Sequence, residues 1–200
     1  MPEIPLNFLF FPGMVVHELS HFLACEFLGV KVSKLKLFGT KEAFVEHAKP
    51  NAWQSVAITL APFFLCNLFA FMLFNYANAL AGAQNIVSII ALWLALSFAI
   101  FSFPSKQDAL NAFNSFIDFY KEKIFGKDGL PEKLLWLVAF PFLFVPLVMV
   151  LGTMAAFDYS VVLRFIWAVA VFVFSFEPQF LQSAVSSISA ALVQLFSLLF

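Results

Sequence analysis

Charge is scarce in this chain. Asp, Glu, Lys and Arg make up 12% of its 200 residues, about half of what a soluble globular domain carries. Together with 62% hydrophobic residues and a mean hydropathy of +0.94, this argues for an integral membrane protein. The formal net charge is −1, so no basic surplus exists to neutralise phosphates, and nucleic acid is excluded as a partner. Cysteine is nearly absent as well. Cys25 and Cys66 both lie in apolar segments and read as small buried residues, not as a disulfide framework. The first apolar stretch lacks a basic n-region and is not read as a removable signal peptide. Internal repeats and low-complexity linkers are missing too, so residues 1–200 read as a single integral-membrane domain.

Long apolar runs are what the chain has in abundance. Runs that match the roughly 20 residues of helix needed to cross a bilayer fall at 6–28, 53–75, 85–103, 134–156, 159–176 and 178–200. The expected fold class is therefore an all-α polytopic membrane protein with about six transmembrane helices. Arg164 stands close enough to the start of the fifth run to snorkel toward the interface. The sixth run carries Gln182, Ser183, Ser186, Ser187, Ser189 and Gln194, and reads either as a polar-faced span or as a helix lying along the membrane.

Basic residues set the orientation. Lys31, Lys34, Lys36, Lys41 and Lys49 follow the first run, and Lys106, Lys121, Lys123, Lys127 and Lys133 follow the third. The positive-inside rule makes loops 29–52 and 104–133 cytoplasmic, with the N-terminus and the short connection 76–84 outside. This is the pattern of a multi-pass protein of the cell membrane. In the first loop, Val30, Val32, Leu35 and Leu37 interleave with Lys31, Ser33, Lys34 and Lys36, and Gly39-Thr40 breaks the run. A small cytoplasmic β-hairpin is expected there, with the alternation slipping at Ser33-Lys34. In the second, 109–125 places Leu110, Phe113, Phe116, Ile117 and Tyr120 at helical spacing, which predicts an amphipathic helix.

Inside the first run lies His17-Glu18-Leu19-Ser20-His21, an HExxH motif. At this composition about 0.002 such motifs would arise by chance. Histidines four residues apart project from one face of a helix and suit two ligands of one Zn²⁺. Glu18 points to the same side and can act as general base toward water. Ionisable groups at membrane depth are costly and mark function, which outweighs the reading of two hydrogen-bonded core histidines.

Catalytic zinc takes three protein ligands, so one comes from elsewhere. Asp108 lies just past the third run, on the same side as the cytoplasmic half of the first. Pro104 can break the helix and turn the carboxylate back. Capping of a helix beginning at Ala109 is the equal alternative for this aspartate. His47, in the first loop, is either solvated or a ligand or substrate contact. Cys25 stands one turn past His21, Glu26 near the interface, and Asp158 on the opposite side of the membrane; all three are weaker candidates.

Three blocks together resemble the site-2 protease family of intramembrane zinc metalloproteases. Val15–Ala24 with Leu28-Gly29-Val30 looks like that family's motif helix and its exit. Leu60-Ala61-Pro62-Phe63-Phe64-Leu65-Cys66-Asn67-Leu68 is similar to its proline segment with a following asparagine. Phe103–Asp108 stands in the place of its Asn-Pro-Asp-Gly block, although Ala109 replaces the glycine and Ser105-Lys106-Gln107 the usual approach. The resemblance covers about 4–110, the expected catalytic core, and leaves 134–200 as additional transmembrane helices. It implies a zinc-dependent endopeptidase that cleaves transmembrane segments of membrane-protein substrates, with His17, His21 and Asp108 on Zn²⁺ and Glu18 catalytic. Asn67 then has a substrate-binding role, against the alternative of an interhelical hydrogen bond. A hairpin edge within 31–46 can hold an unwound substrate by strand addition. The competing readings are a prenyl-protein endopeptidase, whose later glutamate motif is not found here, and a non-proteolytic membrane protein that binds or transports metal.

Overall fold

Each apolar run that can be followed folds as helix. The computed structural model describes residues 6–37, 43–80, 85–126 and 129–176, and is mostly helical with one two-stranded sheet. The chain runs α1 (Leu6–Leu9), α2 (Phe11–Phe27), β1 (Val32–Lys36), β2 (Phe44–His47), α3 (Ala52–Leu80), α4 (Ile86–Ile100), α5 (Lys106–Phe125), α6 (Leu130–Tyr159) and α7 (Val161–Phe176). Two of these, α3 and α6, are long and apolar enough to cross a membrane; α4 and α7 are apolar but shorter. The sixth expected span, 178–200, and the hairpin tip at Gly39-Thr40 lie outside the described residues.

Several boundaries differ from the sequence expectation. The first run is two helices, because the chain breaks at Phe10. Pro12 sits in the first turn of α2, where its missing N–H costs nothing. Ser97 of α4 stitches the break, donating from Oγ to the Phe10 carbonyl at 2.7 Å and accepting from Gly13 N at 2.7 Å. A β-carbon on Gly13 would collide with the Ser97 backbone, so α2 and α4 touch main chain to main chain. A residue without a β-carbon permits such close approach of two backbones. In the expected outer connection 76–84, helix α3 continues to Leu80.

Helix α2 ends in a Schellman turn. Gly29 takes φ 69°, Gly29 N bonds Glu26 O at 3.2 Å, and Val30 N bonds Cys25 O at 2.8 Å. Val30 then packs on Cys25 and Ile58, and the chain turns into the hairpin. Strands β1 and β2 pair antiparallel, Lys34 opposite Glu46 and Lys36 opposite Phe44, with an irregularity between Val32 and Lys34. That is where the apolar alternation slips.

Helix α5 begins at Lys106, three residues earlier than expected, and buries Ala109, Ala112, Phe116 and Tyr120 on one face. Leu110, assigned to that face from sequence, is exposed. The buried face packs against α3 and α6, so this amphipathic helix is covered by protein. Helix α6 returns antiparallel along α5: the Tyr120 hydroxyl bonds the Trp136 carbonyl, Phe113 meets Phe144, and Ala109 clusters with Leu151. Helix α7 then runs beside α3, with Trp167 on Phe63 and Phe172 on Phe74.

Candidate metal centre

His17 and His21 stand on the buried face of α2, their ring centroids 4.9 Å apart. The protein fixes both rings through carbonyl oxygens that irregular backbone leaves free. In an unbroken helix the Ile58 carbonyl would accept from the N–H of residue 62. Residue 62 is Pro62, which has none. His21 Nδ1 lies 2.8 Å from that oxygen instead. The Phe101 carbonyl would similarly accept from Ser105 N, had α4 continued past Ile100. Ser105 N turns to the Asp108 carboxylate at 3.0 Å, and His17 Nδ1 lies 2.8 Å from Phe101 O. A carbonyl only accepts, so each Nδ1 carries the proton and each Nε2 presents a lone pair, the tautomer that ligates metal.

Asp108 occupies the third position of α5 and completes a capping box with Ser105. Its Oδ2 accepts from Ser105 Oγ at 2.5 Å and Ser105 N at 3.0 Å, while its own N–H bonds Ser105 Oγ at 3.2 Å. The two readings of this aspartate are thus compatible, with one correction: Ser105 is the N-cap and Asp108 its reciprocal partner three residues on. Donors on Oδ2 favour the ionised carboxylate, and Thr59 Oγ1 ties the Asp108 carbonyl to α3 at 3.1 Å.

One ligand atom from each of His17, His21 and Asp108 lies within 4.8 Å of the others, the one such group among the described residues. His21 Nε2 is 3.5 Å from Asp108 Oδ2, close to the roughly 3.4 Å that separates two ligands of a tetrahedral ion with 2.1 Å bonds. That nitrogen is buried and has no hydrogen-bond partner among the described residues. An orphaned buried acceptor is costly, and a cation between the three side chains satisfies it. The donor set therefore fits a metal ion.

Two cavities meet at this point. The larger, about 920 Å³, runs from Glu18, His21 and Asp108 between β2 and α5, reaching Phe44, His47 and Asp118. Along it α5 presents Gln107, Asn111, Asn114 and Asp118, a spacing that puts four polar side chains on one helical face. The smaller, about 230 Å³, is lined by His17, Glu18, Phe101, Phe103, Asp158 and Arg164. Glu18 borders both cavities, sharing the wall of the larger with His21 and Asp108 and that of the smaller with His17.

His47 lines the groove wall, its Nδ1 2.9 Å from the neighbouring Ala48 carbonyl. Cys25 is buried against Val30 and Ile58, and Glu26 is exposed; neither joins the trio. Asn67 lines neither cavity. Its Nδ2 donates to Phe63 O at 2.7 Å and its Oδ1 accepts from Trp167 Nε1 at 2.8 Å, an interhelical bond between α3 and α7. Asp158, expected across the membrane, lies in the smaller cavity because α6 folds back along α5. Arg164 turns to Asp158 instead of snorkelling, its Nη2 2.5 Å from Oδ1. The sequence reading missed this pair, the two positioning carbonyls and the polar face of α5. Pro62 inside an apolar helix was the visible signal for Ile58, and charges at 158 and 164 beside long apolar runs were the signal for the pair.

No family model, curated protein or solved structure matches the chain.

Proposed function

We propose that this protein is a zinc-dependent endopeptidase of the membrane, cutting segments of membrane-protein substrates after they unwind. The observation that carries the reading is the position of Glu18, flanked by the His17, His21 and Asp108 trio and facing a groove of about 920 Å³. Zinc, when bound by these three side chains, supplies the Lewis acidity that makes water nucleophilic near neutral pH and polarises a carbonyl. His17 and His21 would offer their Nε2 lone pairs to the ion, because Phe101 and Ile58 take the opposite N–H groups. Glu18 accepts the proton from the attacking water and returns it to the leaving amide nitrogen.

The groove suits an extended chain. Among the described residues strand β2 pairs with β1 on one side only, and an edge strand can pair with an unwound peptide. Opposite it, the amides of α5 offer hydrogen bonds to backbone groups that have left a helix, which apolar surroundings would otherwise leave unsatisfied. A channel for ions needs no peptide-sized trough, which favours proteolysis over metal transport.

A multi-pass arrangement in the cell membrane accompanies this reading, with α3 and α6 the helices long and apolar enough to cross. Ten of the eleven basic residues fall in 29–52 and 104–133, which supports a cytoplasmic position for both segments and an external N-terminus. Water then reaches Glu18 from the cytoplasmic end of the groove.

Glu18→Gln is the direct test. Zinc measured by mass spectrometry stays near one equivalent while cleavage of a reconstituted transmembrane substrate disappears. Undiminished cleavage would sink the assignment of Glu18, and loss of the metal together with cleavage would indicate a structural site.

A further inference from the structure

Arg164 and Asp158 form a charge pair where apolar side chains would pack more cheaply. Both are largely withdrawn from solvent, and Arg164 Nη2 stands 2.5 Å from Asp158 Oδ1. Arg164 Nε also donates to the Asp158 carbonyl at 3.0 Å, as does Nη2. Three bonds to one residue lock the guanidinium, and its Nη1 makes none among the described residues. Its carbon sits 5.9 Å over the ring of Phe101, the residue whose carbonyl positions His17. Phe101 therefore ties the cation and a metal-binding imidazole to one short piece of backbone. The cavity of about 230 Å³ beside them has His17, Glu18, Asp158 and Arg164 in its wall.

We infer that Arg164 donates from Nη1 to the oxygen of the carbonyl under attack, stabilising the charge that builds there, with Asp158 as the residue that positions it. The inference rests on the peptidase reading of the site. During hydrolysis the water oxygen bonds the carbonyl carbon, one water proton passes to Glu18, and negative charge gathers on the former carbonyl oxygen. The C–N bond then breaks, the proton on Glu18 goes to the leaving nitrogen, and the carbonyl re-forms. Arg164 and Asp158 together are neutral, so they neither strongly attract nor repel an uncut peptide. The unspent Nη1 donor meets full negative charge only in the tetrahedral state, the condition under which an interaction accelerates a reaction.

The test compares wild type, Arg164→Gln and Arg164→Lys, each reconstituted with zinc and matched for metal content and thermal unfolding. Arg164→Gln is expected to lower kcat about 100-fold with KM little changed, the split that marks an interaction made only in the transition state. Binding gives a second readout. An apolar phosphinic peptide, tetrahedral and anionic, should lose about the same factor in affinity, whereas the corresponding uncut peptide on a Glu18→Gln background should bind equally with and without Arg164. Arg164→Lys keeps the charge and controls for folding; its kcat should fall between the two. Wild-type kcat in Arg164→Gln, equal weakening of both peptides, or a lysine variant as slow as the glutamine variant would each overturn the inference while leaving the peptidase reading intact. A wild-type protein that binds zinc but cuts nothing would overturn both.

Discussion

His21 is held by Ile58: Nδ1 donates to that carbonyl across 2.8 Å, from one helix to the next. The bond exists because Pro62 cannot compete for the oxygen, so a residue outside the trio decides which imidazole nitrogen keeps its lone pair. Pro62→Ala restores the rival N–H. Zinc affinity should fall about 10-fold, the lower end for losing such an outer partner, while the helix gains stability from removal of an interior proline. Chelator competition and thermal unfolding measure the two effects; unchanged zinc affinity would refute the link.

Asp108 completes the capping box of α5 and is the proposed third ligand, and substitution can separate the two. Asp108→Asn keeps an oxygen for Ser105 N and so most of the cap, but removes the charge. Zinc occupancy should drop sharply with little change in unfolding temperature. Asp108→Ala should lose zinc and, in addition, about 1 kcal/mol of stability from the lost bonds of Ser105 to its carboxylate, while Ser105 still caps the helix. Tight zinc retained in both variants would remove this residue from the ligand set.

Gly13→Ala should be among the most damaging small substitutions in the chain. The added methyl meets the Ser97 main chain, which cannot rotate away as a side chain can. Overpacking of this kind costs about 1–3 kcal/mol, and the shift of α2 against α4 changes the separation of His17 from Phe101. A lower unfolding midpoint in detergent, together with weaker zinc binding, is the expected result. Gly29→Ala, by contrast, strains only the exit turn and should leave zinc affinity alone.

Asn67→Ala distinguishes a substrate contact from a brace between helices. The bond to Trp167 predicts a stability loss of about 0.6 kcal/mol, the average for polar pairs between membrane helices, with kcat and KM as in wild type. A raised KM at normal stability would restore the substrate role that the resemblance implies.

What could be read in advance follows from how local each signal is. The HExxH spacing needs only the pitch of a helix, and the hairpin irregularity at Ser33 shows in its alternation, so both were legible. Asp108 was legible as a candidate because Pro104 and the charge stand at the end of an apolar run. The break at Phe10 was hidden, since Ser97, distant in sequence, supplies the hydrogen bonds that make it tolerable. The return of α6 was hidden for a similar reason. Its apolar surface fits lipid and α5 equally well by composition, and only the pairing of Phe113 with Phe144 and Tyr120 with Trp136 distinguishes them. Counting spans therefore put Asp158 on the far side, when packing brings it to the site.

Helix α5 is a rod with two loads. Its first turn holds Asp108, and the next three turns present Asn111, Asn114 and Asp118 to the groove. On the proposed function, a peptide lying along those side chains would draw on the same helix that carries Asp108, the proposed third ligand. If metal and peptide bind as proposed, they share one mechanical element, and thermodynamic reciprocity requires that whatever one does to the other's affinity is returned in equal measure. On the proposed function the protein would need no separate sensor for substrate, since the helix that lines the groove also carries Asp108.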